Sequence, residues 1–131
     1  MNDLTQDEFD ELIYDDEQAA VIFFHKTGCA VCEEVSGKLD GLSRNYNLIF
    51  AGVNALEERE LFSRFGLRGV PQVLFFKDGR LLKTLAGRHD SREYVNSIEL
   101  LTLSGIEASQ ALKKHDDAPE LETVSGHGAM I

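Results

Sequence analysis

AVIFFHKTGCAVCEEV, residues 20–35, changes character half-way along. Its first part belongs to the apolar run AAVIFFH at 19–25, rich in β-branched and aromatic side chains and without polar alternation, which predicts a strand covered on both faces, as in a parallel sheet. From Cys29 onward the apolar period is helical: Cys32, Val35, Leu39 and Leu42 fall three, four and three apart and make one stripe. The stretch therefore reads as strand, short turn and helix, with Cys29 at the helix N-terminus. Cys29 and Cys32 are the only cysteines in the chain.

Outward from this unit the patterns alternate. Upstream, LTQDEFDELI at 4–13 predicts a short helix, with Thr5 as N-cap, Glu8 three residues on, and Leu4, Phe9, Leu12 and Ile13 near helical spacing. Downstream, NLIFAGV at 47–53 predicts a strand. NALEERELFSRFG at 54–66 predicts a helix with a capping box from Asn54 to Glu57, core residues Leu56, Leu61 and Phe65, and Gly66 at its end. PQVLFFKDGRLLKTLAG at 71–87 gives two extended runs joined at Asp78-Gly79, a two-residue hairpin signal. DSREYVNSIELLTLSG at 90–105 predicts a helix opened by a capping box from Asp90 to Glu93, burying Tyr94, Val95, Ile98 and Leu101 and stopping at Gly105. These patterns predict one domain over residues 1–105. Residues 106–131, polar and rich in small residues, read as an acidic and mobile tail.

A chain of 131 residues is long enough for one core without disulfide or metal staples. Its formal net charge of -10 is unevenly spread: residues 1–20 hold eight acids and no Lys or Arg, and residues 104–131 hold five acids and two lysines. Of the 23 acids and 13 bases, that leaves ten and eleven for residues 21–103. The acid excess at the ends favours solubility and repels nucleic acid, and no basic patch calls for DNA or RNA. The first residues have no signal-peptide pattern, and no apolar run approaches a membrane span. A reducing cytoplasm is the expected compartment, where a cysteine pair is more often catalytic or metal-binding than a static disulfide.

The order helix, strand, helix, strand, helix, hairpin, helix, with Cys-x-x-Cys at a strand-to-helix turn, resembles the thioredoxin family over about residues 5–103. FGLRGVPQVLFFKDG at 65–79 looks like the family's cis-proline segment and following hairpin. The resemblance implies an α/β thioredoxin fold: a central mixed sheet of parallel strands plus a C-terminal antiparallel hairpin, flanked by helices. It also implies that Val70-Pro71 is a cis peptide, that Pro71 faces the cysteines, and that the Val70 backbone is free to pair with an extended substrate. The departures are as specific. Gly28-Cys29-Ala30-Val31-Cys32 replaces the usual Trp-Cys-Gly-Pro-Cys, Phe23 stands where the family buries an acid that moves a proton at the second thiol, Phe50 replaces that acid's lysine partner, and Gly37 replaces the helix-kinking proline.

His25, two residues after Phe23 and on the same strand face, is a candidate to take over the proton relay, since an imidazole suits transfer to or from a thiol. It also reads simply as a packing residue at the strand's end. His89, His115 and His127 read as surface residues, and Gly69 and Gly87 as backbone spacers. Glu33 and Glu34 favour the helix dipole but oppose a nearby thiolate.

For the cysteines three readings stand: a dithiol/disulfide couple, a zinc site that needs two further ligands of which only His25 is close in sequence, and two inert core thiols. The first carries a mechanism. Helix amides and the dipole favour a thiolate at Cys29, with Thr27-Gly28 leaving its sulfur approachable, while Cys32 begins the buried stripe. The expectation is a thioredoxin-like oxidoreductase that reduces protein disulfides, Cys29 attacking and Cys32 resolving. Its catalytic residues would be Cys29 and Cys32, supported by Pro71, Val70, His25 and Gly28. The expected partners are disulfide-containing proteins and a thioredoxin-reductase-like or other thiol electron donor. No cofactor beyond the redox-active disulfide, no metal, no nucleic acid, no membrane and a monomeric state are expected. Two other readings stand beside it: a glutathione-coupled reductase of glutaredoxin type, and a non-enzymatic module presenting Val70-Pro71 to a partner.

Overall fold

The computed structural model describes residues 1–102 and, further on, the backbone of Glu122–Thr123. Strand β1 (Ala20–His25) lies in the middle of a four-stranded sheet of order β2-β1-β4-β5, with β2 at Ile49–Asn54, β4 at Gln72–Lys77 and β5 at Arg80–Ala86. It pairs parallel with β2 and antiparallel with β4. Five of its six residues are buried, which is what an apolar run without alternation requires of a central strand. The sheet is mixed, and the hairpin β4–β5 turns at Asp78 (φ 53) and Gly79 (φ 76), both in the left-handed region that a two-residue primed turn needs.

Alternation along the strands assigns the helices to two faces. Phe24 of β1 and Phe76 of β4 meet an aromatic cluster from α1 (Gln6–Asp10) and α3 (Arg59–Arg64). Phe9 contacts Phe65 and Phe76 edge-on at 5.7 and 5.5 Å, and Phe24 lies 6.3 Å from both Phe62 and Phe65. Phe23 and His25 look to the other face, where α2 (Ala30–Ser43) buries Cys32, Val35 and Leu39 and packs against α4 (Ser91–Leu100).

Helix α1 has the predicted capping box: the Thr5 hydroxyl accepts from Glu8 N and the Glu8 carboxylate from Thr5 N. A π-helical turn at Glu11–Asp15 continues it and seats Ile13 in the core. On the same side Arg64 makes a two-pronged ion pair with Asp10 at 2.6 and 3.2 Å, and that hydrogen bonding holds its guanidinium above its ordinary pKa.

Three local expectations are corrected. Helix α3 starts at Arg59, not near Asn54, because the Asn54 side chain accepts from Leu56 N and turns the chain there; its buried residues are Leu61 and Phe62. In α4 the Asp90 carboxylate caps Glu93 N, yet Ser97 rather than Val95 is fully buried, its hydroxyl satisfied by the Glu93 carbonyl. His89 is no bare surface residue: its ring meets the Ala86 carbonyl at 3.1 Å and lies edge-on to Tyr94.

Gly105, His115 and His127 lie outside the described residues, as does most of the segment 106–131 read as a mobile tail. Two of its residues do not: Glu122–Thr123 forms a short strand β6 that pairs antiparallel with β3 (Gly69–Val70), with Val70 opposite Glu122. No helix among the described residues is long and apolar enough to cross a membrane.

Candidate active site

Residues 26–29 carry the chain from the end of β1 into α2, and Gly28 turns it with φ 79, a conformation that side chains with a Cβ rarely adopt. Cys29 then sits as the N-cap of α2 in an extended conformation, and its Sγ accepts the backbone N–H of Cys32 at 3.1 Å. Sulfur here takes the place that a Ser or Asp oxygen fills at most helix starts. Cys29 and Cys32 are joined as a disulfide, with their Cα atoms 5.2 Å apart.

Both sulfurs are covered. Cys29 is 1% exposed and Cys32 3%, so the expected contrast between an approachable and a sheltered cysteine does not appear in the disulfide form. In this form the Cys29 sulfur is tied twice to the first turn of α2, by the bridge to Cys32 and by the Cys32 N–H that it accepts. What distinguishes the two is their surroundings. Cys29 accepts the Cys32 amide at the helix start, whereas Cys32 lines a cavity of about 370 Å³ together with Phe23, His25, Asp3, Glu33 and Gly52.

That cavity brings together Phe23, one of the departures noted in the sequence, and His25, the candidate for the relay. Phe23 reaches it from β1 at 4% exposure, and His25 stacks on Phe23 with ring centroids 5.2 Å apart and planes 17° from parallel. His25 is not only packed: its Nε2 lies 2.8 Å from a carboxylate oxygen of Asp3. Sequence reasoning did not single out Asp3. The chain's first residues run beside the free edge of β2, with Leu4 N donating to the Gly52 carbonyl and Gly52 N to the Asn2 carbonyl, both at 2.8 Å. The one available signal was Gly52 itself, a glycine inside a strand, which marks a close approach by another group. A Cβ there would overlap the Asp3 carboxylate and come within 3.4 Å of His25 Nε2.

Phe50, in the position of the usual lysine, is half-buried against the core. Glu34 is partnered by Arg88 at 2.9 Å and Lys38 at 3.4 Å, which leaves Glu33 as the first-turn carboxylate on the cavity. Val70 and Pro71 are buried and joined by a cis peptide; they do not line the cavity, and the Pro71 carbonyl accepts Gly87 N at 2.9 Å. No cluster of three metal-ligating side chains occurs among the described residues.

Residues 1–100 match the thioredoxin family model. The chain belongs to the thioredoxin family. It is 27% identical over 118 residues to protein disulfide-isomerase 1 of Caenorhabditis elegans, a match that takes in 85% of this chain but only 24% of that protein, so the chain spans about a quarter of that relative's length. Among solved structures, a mutant thioredoxin from Halobacterium salinarum NRC-1 superposes with a TM-score of 0.72 at 24% identity, covering 79% of this chain and 91% of that one. Fasciola hepatica thioredoxin gives 0.69 at 22% identity, covering 76% and 97%. The superpositions show the fold; the family match and the bridged Cys29–Cys32 pair at a helix start make this a thiol-disulfide oxidoreductase of thioredoxin type.

Proposed function

We propose that the protein reduces disulfides in other proteins, with Cys29 as nucleophile and Cys32 as resolving thiol. The observation that carries this reading is the cap geometry: a sulfur that accepts the Cys32 N–H at the start of α2 is stabilised as a thiolate by that amide and by the helix dipole. In the reduced enzyme the Cys29 thiolate attacks one sulfur of the substrate disulfide and expels the other as a thiolate, forming a mixed disulfide. Cys32 then attacks Cys29, the substrate's second sulfur leaves, and the Cys29–Cys32 bridge closes. Two electrons pass to the substrate. A thiol donor, a thioredoxin-reductase-like protein in this proposal, restores the dithiol in a reducing compartment such as the cytoplasm. Cys29→Ser should abolish attack, whereas Cys32→Ser should preserve it and accumulate a stable mixed disulfide, detected by mass spectrometry of trapped complexes. Trapping by Cys29→Ser instead of Cys32→Ser would reverse the roles.

A further inference from the structure

Strands in a sheet lie about 4.8 Å apart, so the side chain of the residue between them ordinarily keeps side chains on strands two places apart from meeting. Residue 52 is that gap. Asp3 lies alongside it on the outer side of β2, β1 lies on the inner side with Phe23 opposite Gly52, and the Asp3 and His25 side chains join at 2.8 Å across the glycine. A carboxylate only accepts hydrogen bonds, so the Nε2 of His25 carries the hydrogen and a neutral ring keeps its lone pair on Nδ1. The imidazole, its carboxylate partner and Cys32 line one cavity, large enough for water.

We propose that His25, oriented by Asp3, takes the proton from the Cys32 thiol when Cys32 resolves the mixed disulfide. The inference rests on the dithiol reading above. With Cys29 bonded to a substrate sulfur, the Cys32 S–H passes its proton through cavity water to His25. The Cys32 thiolate bonds to Cys29 Sγ, the Cys29–substrate S–S bond breaks, and the substrate sulfur leaves with the electron pair. His25 then returns the proton to solvent or to the leaving thiolate. Asp3 is a positioning residue: it fixes the ring's tautomer and steadies the imidazolium that forms.

The other charged groups facing His25 across the cavity are Glu33 on α2, Lys26 next along the chain, and the Met1 amino group, which is paired with Asp40 at 3.4 Å. Glu33 is the competing base. It is exposed and belongs to the first turn of α2, with no glycine-made gap joining it to a partner.

The two half-reactions separate with 5,5'-dithiobis(2-nitrobenzoate) as probe: the reduced full-length protein releases one coloured thiolate when Cys29 attacks and a second when Cys32 resolves. His25→Gln should slow the second release about a hundredfold at neutral pH and leave the first within about twofold. It should also remove a bend from the pH profile of the second release, and added imidazole should restore part of the rate. Asp3→Asn should slow the second release by less, and Asp3→Glu should recover it. An unchanged second release in His25→Gln, or one slowed instead by Glu33→Gln, overturns the proposal while leaving the dithiol reading intact. Absence of a two-step release in the unmutated protein would defeat the dithiol reading itself. Should His25→Gln not fold, the Asp3 variants and their pH profiles decide alone: Asp3→Asn with an unaltered profile refutes the relay.

Discussion

Reducing the Cys29–Cys32 disulfide should lower the stability of the fold by an amount that follows from where the bridge sits. The cysteines are three positions apart, so the bridge closes a loop of four residues. For such a loop the chain-entropy account removes about 6 cal/mol/K from the unfolded state, or about 2 kcal/mol at 25 °C. On the other side, the reduced protein can ionise Cys29 at the cap of α2, where an anion gains about 0.3–1 kcal/mol from the helix end. The difference leaves the disulfide form more stable by about 1–2 kcal/mol. Folding and reduction close a thermodynamic cycle, so the same difference lowers the reduction potential of the folded pair below that of the unfolded one by about 20–40 mV. Urea unfolding followed by far-ultraviolet circular dichroism, with and without excess dithiothreitol, measures it directly. For a domain of this size an m-value near 1–1.5 kcal/mol/M puts the two midpoints about 1 M apart with equal slopes. A reduced form as stable as the disulfide form, or more so, would refute the reasoning: thiolate stabilisation would then outweigh loop closure, and the folded pair would be poised to oxidise substrates.

Phe9→Ala should cost about 3–5 kcal/mol, because Phe9 is fully buried and joins α1 to Phe65 and Phe76; chemical denaturation showing under about 1.5 kcal/mol would mean that the cluster collapses to fill the space. Gly52→Ala should change stability by no more than about 1 kcal/mol, since the half-exposed Asp3 side chain can swing away, yet it should break the Asp3–His25 hydrogen bond; a nitrogen spectrum of the His25 ring identical to the parent's would contradict this. Ending the chain at residue 105 removes β6, which among the described residues pairs with β3 over two residues, so the melting temperature should fall by no more than a few degrees while turnover of an extended peptide disulfide rises; unchanged turnover would mean that β6 does not restrict access to that edge.

The element order was legible because each signal was strong and local. The β1 run has no polar residue before His25, the Thr5–Glu8 box fixes one helix start, and Asp78-Gly79 supplies the two left-handed residues that the hairpin needs. The dithiol was legible for the same reason, since spacing and helix start lie within four residues. The failures share a cause too. Asn54 is as good a helix cap as it is a turn former, and only the chain direction at the end of β2 decides that it turns the backbone and delays α3 to Arg59. The burial of Cys29 in the disulfide form could not be read from the small residues beside it. Asp3 could not be found by pattern at all: it is 22 positions from His25, and the link exists only because β1, β2 and the N-terminal segment lie side by side.

The acidic first twenty residues show how far composition goes. Read as a charge run, they are a solvating end with no chemistry, and several of their acids are indeed exposed without an assigned role. Three are not interchangeable with the rest. Glu8 closes the capping box of α1, Asp10 ties α1 to Arg64 of α3, and Asp3 reaches His25 over a glycine. A free β2 edge would be a template for unwanted pairing, and residues 2–4 cover it with backbone hydrogen bonds. The same covering segment delivers a carboxylate to the cavity beside Cys32, on the side where Phe23 has taken the place of the family's buried acid. Placing the charge on an edge segment rather than in the core avoids the cost of burying an unpaired carboxylate, since Asp3 stays half-exposed while its hydrogen bond is made to a ring already stacked on Phe23. The carboxylate and the imidazole it holds are thereby separated by one strand, and the glycine between them is what lets them meet.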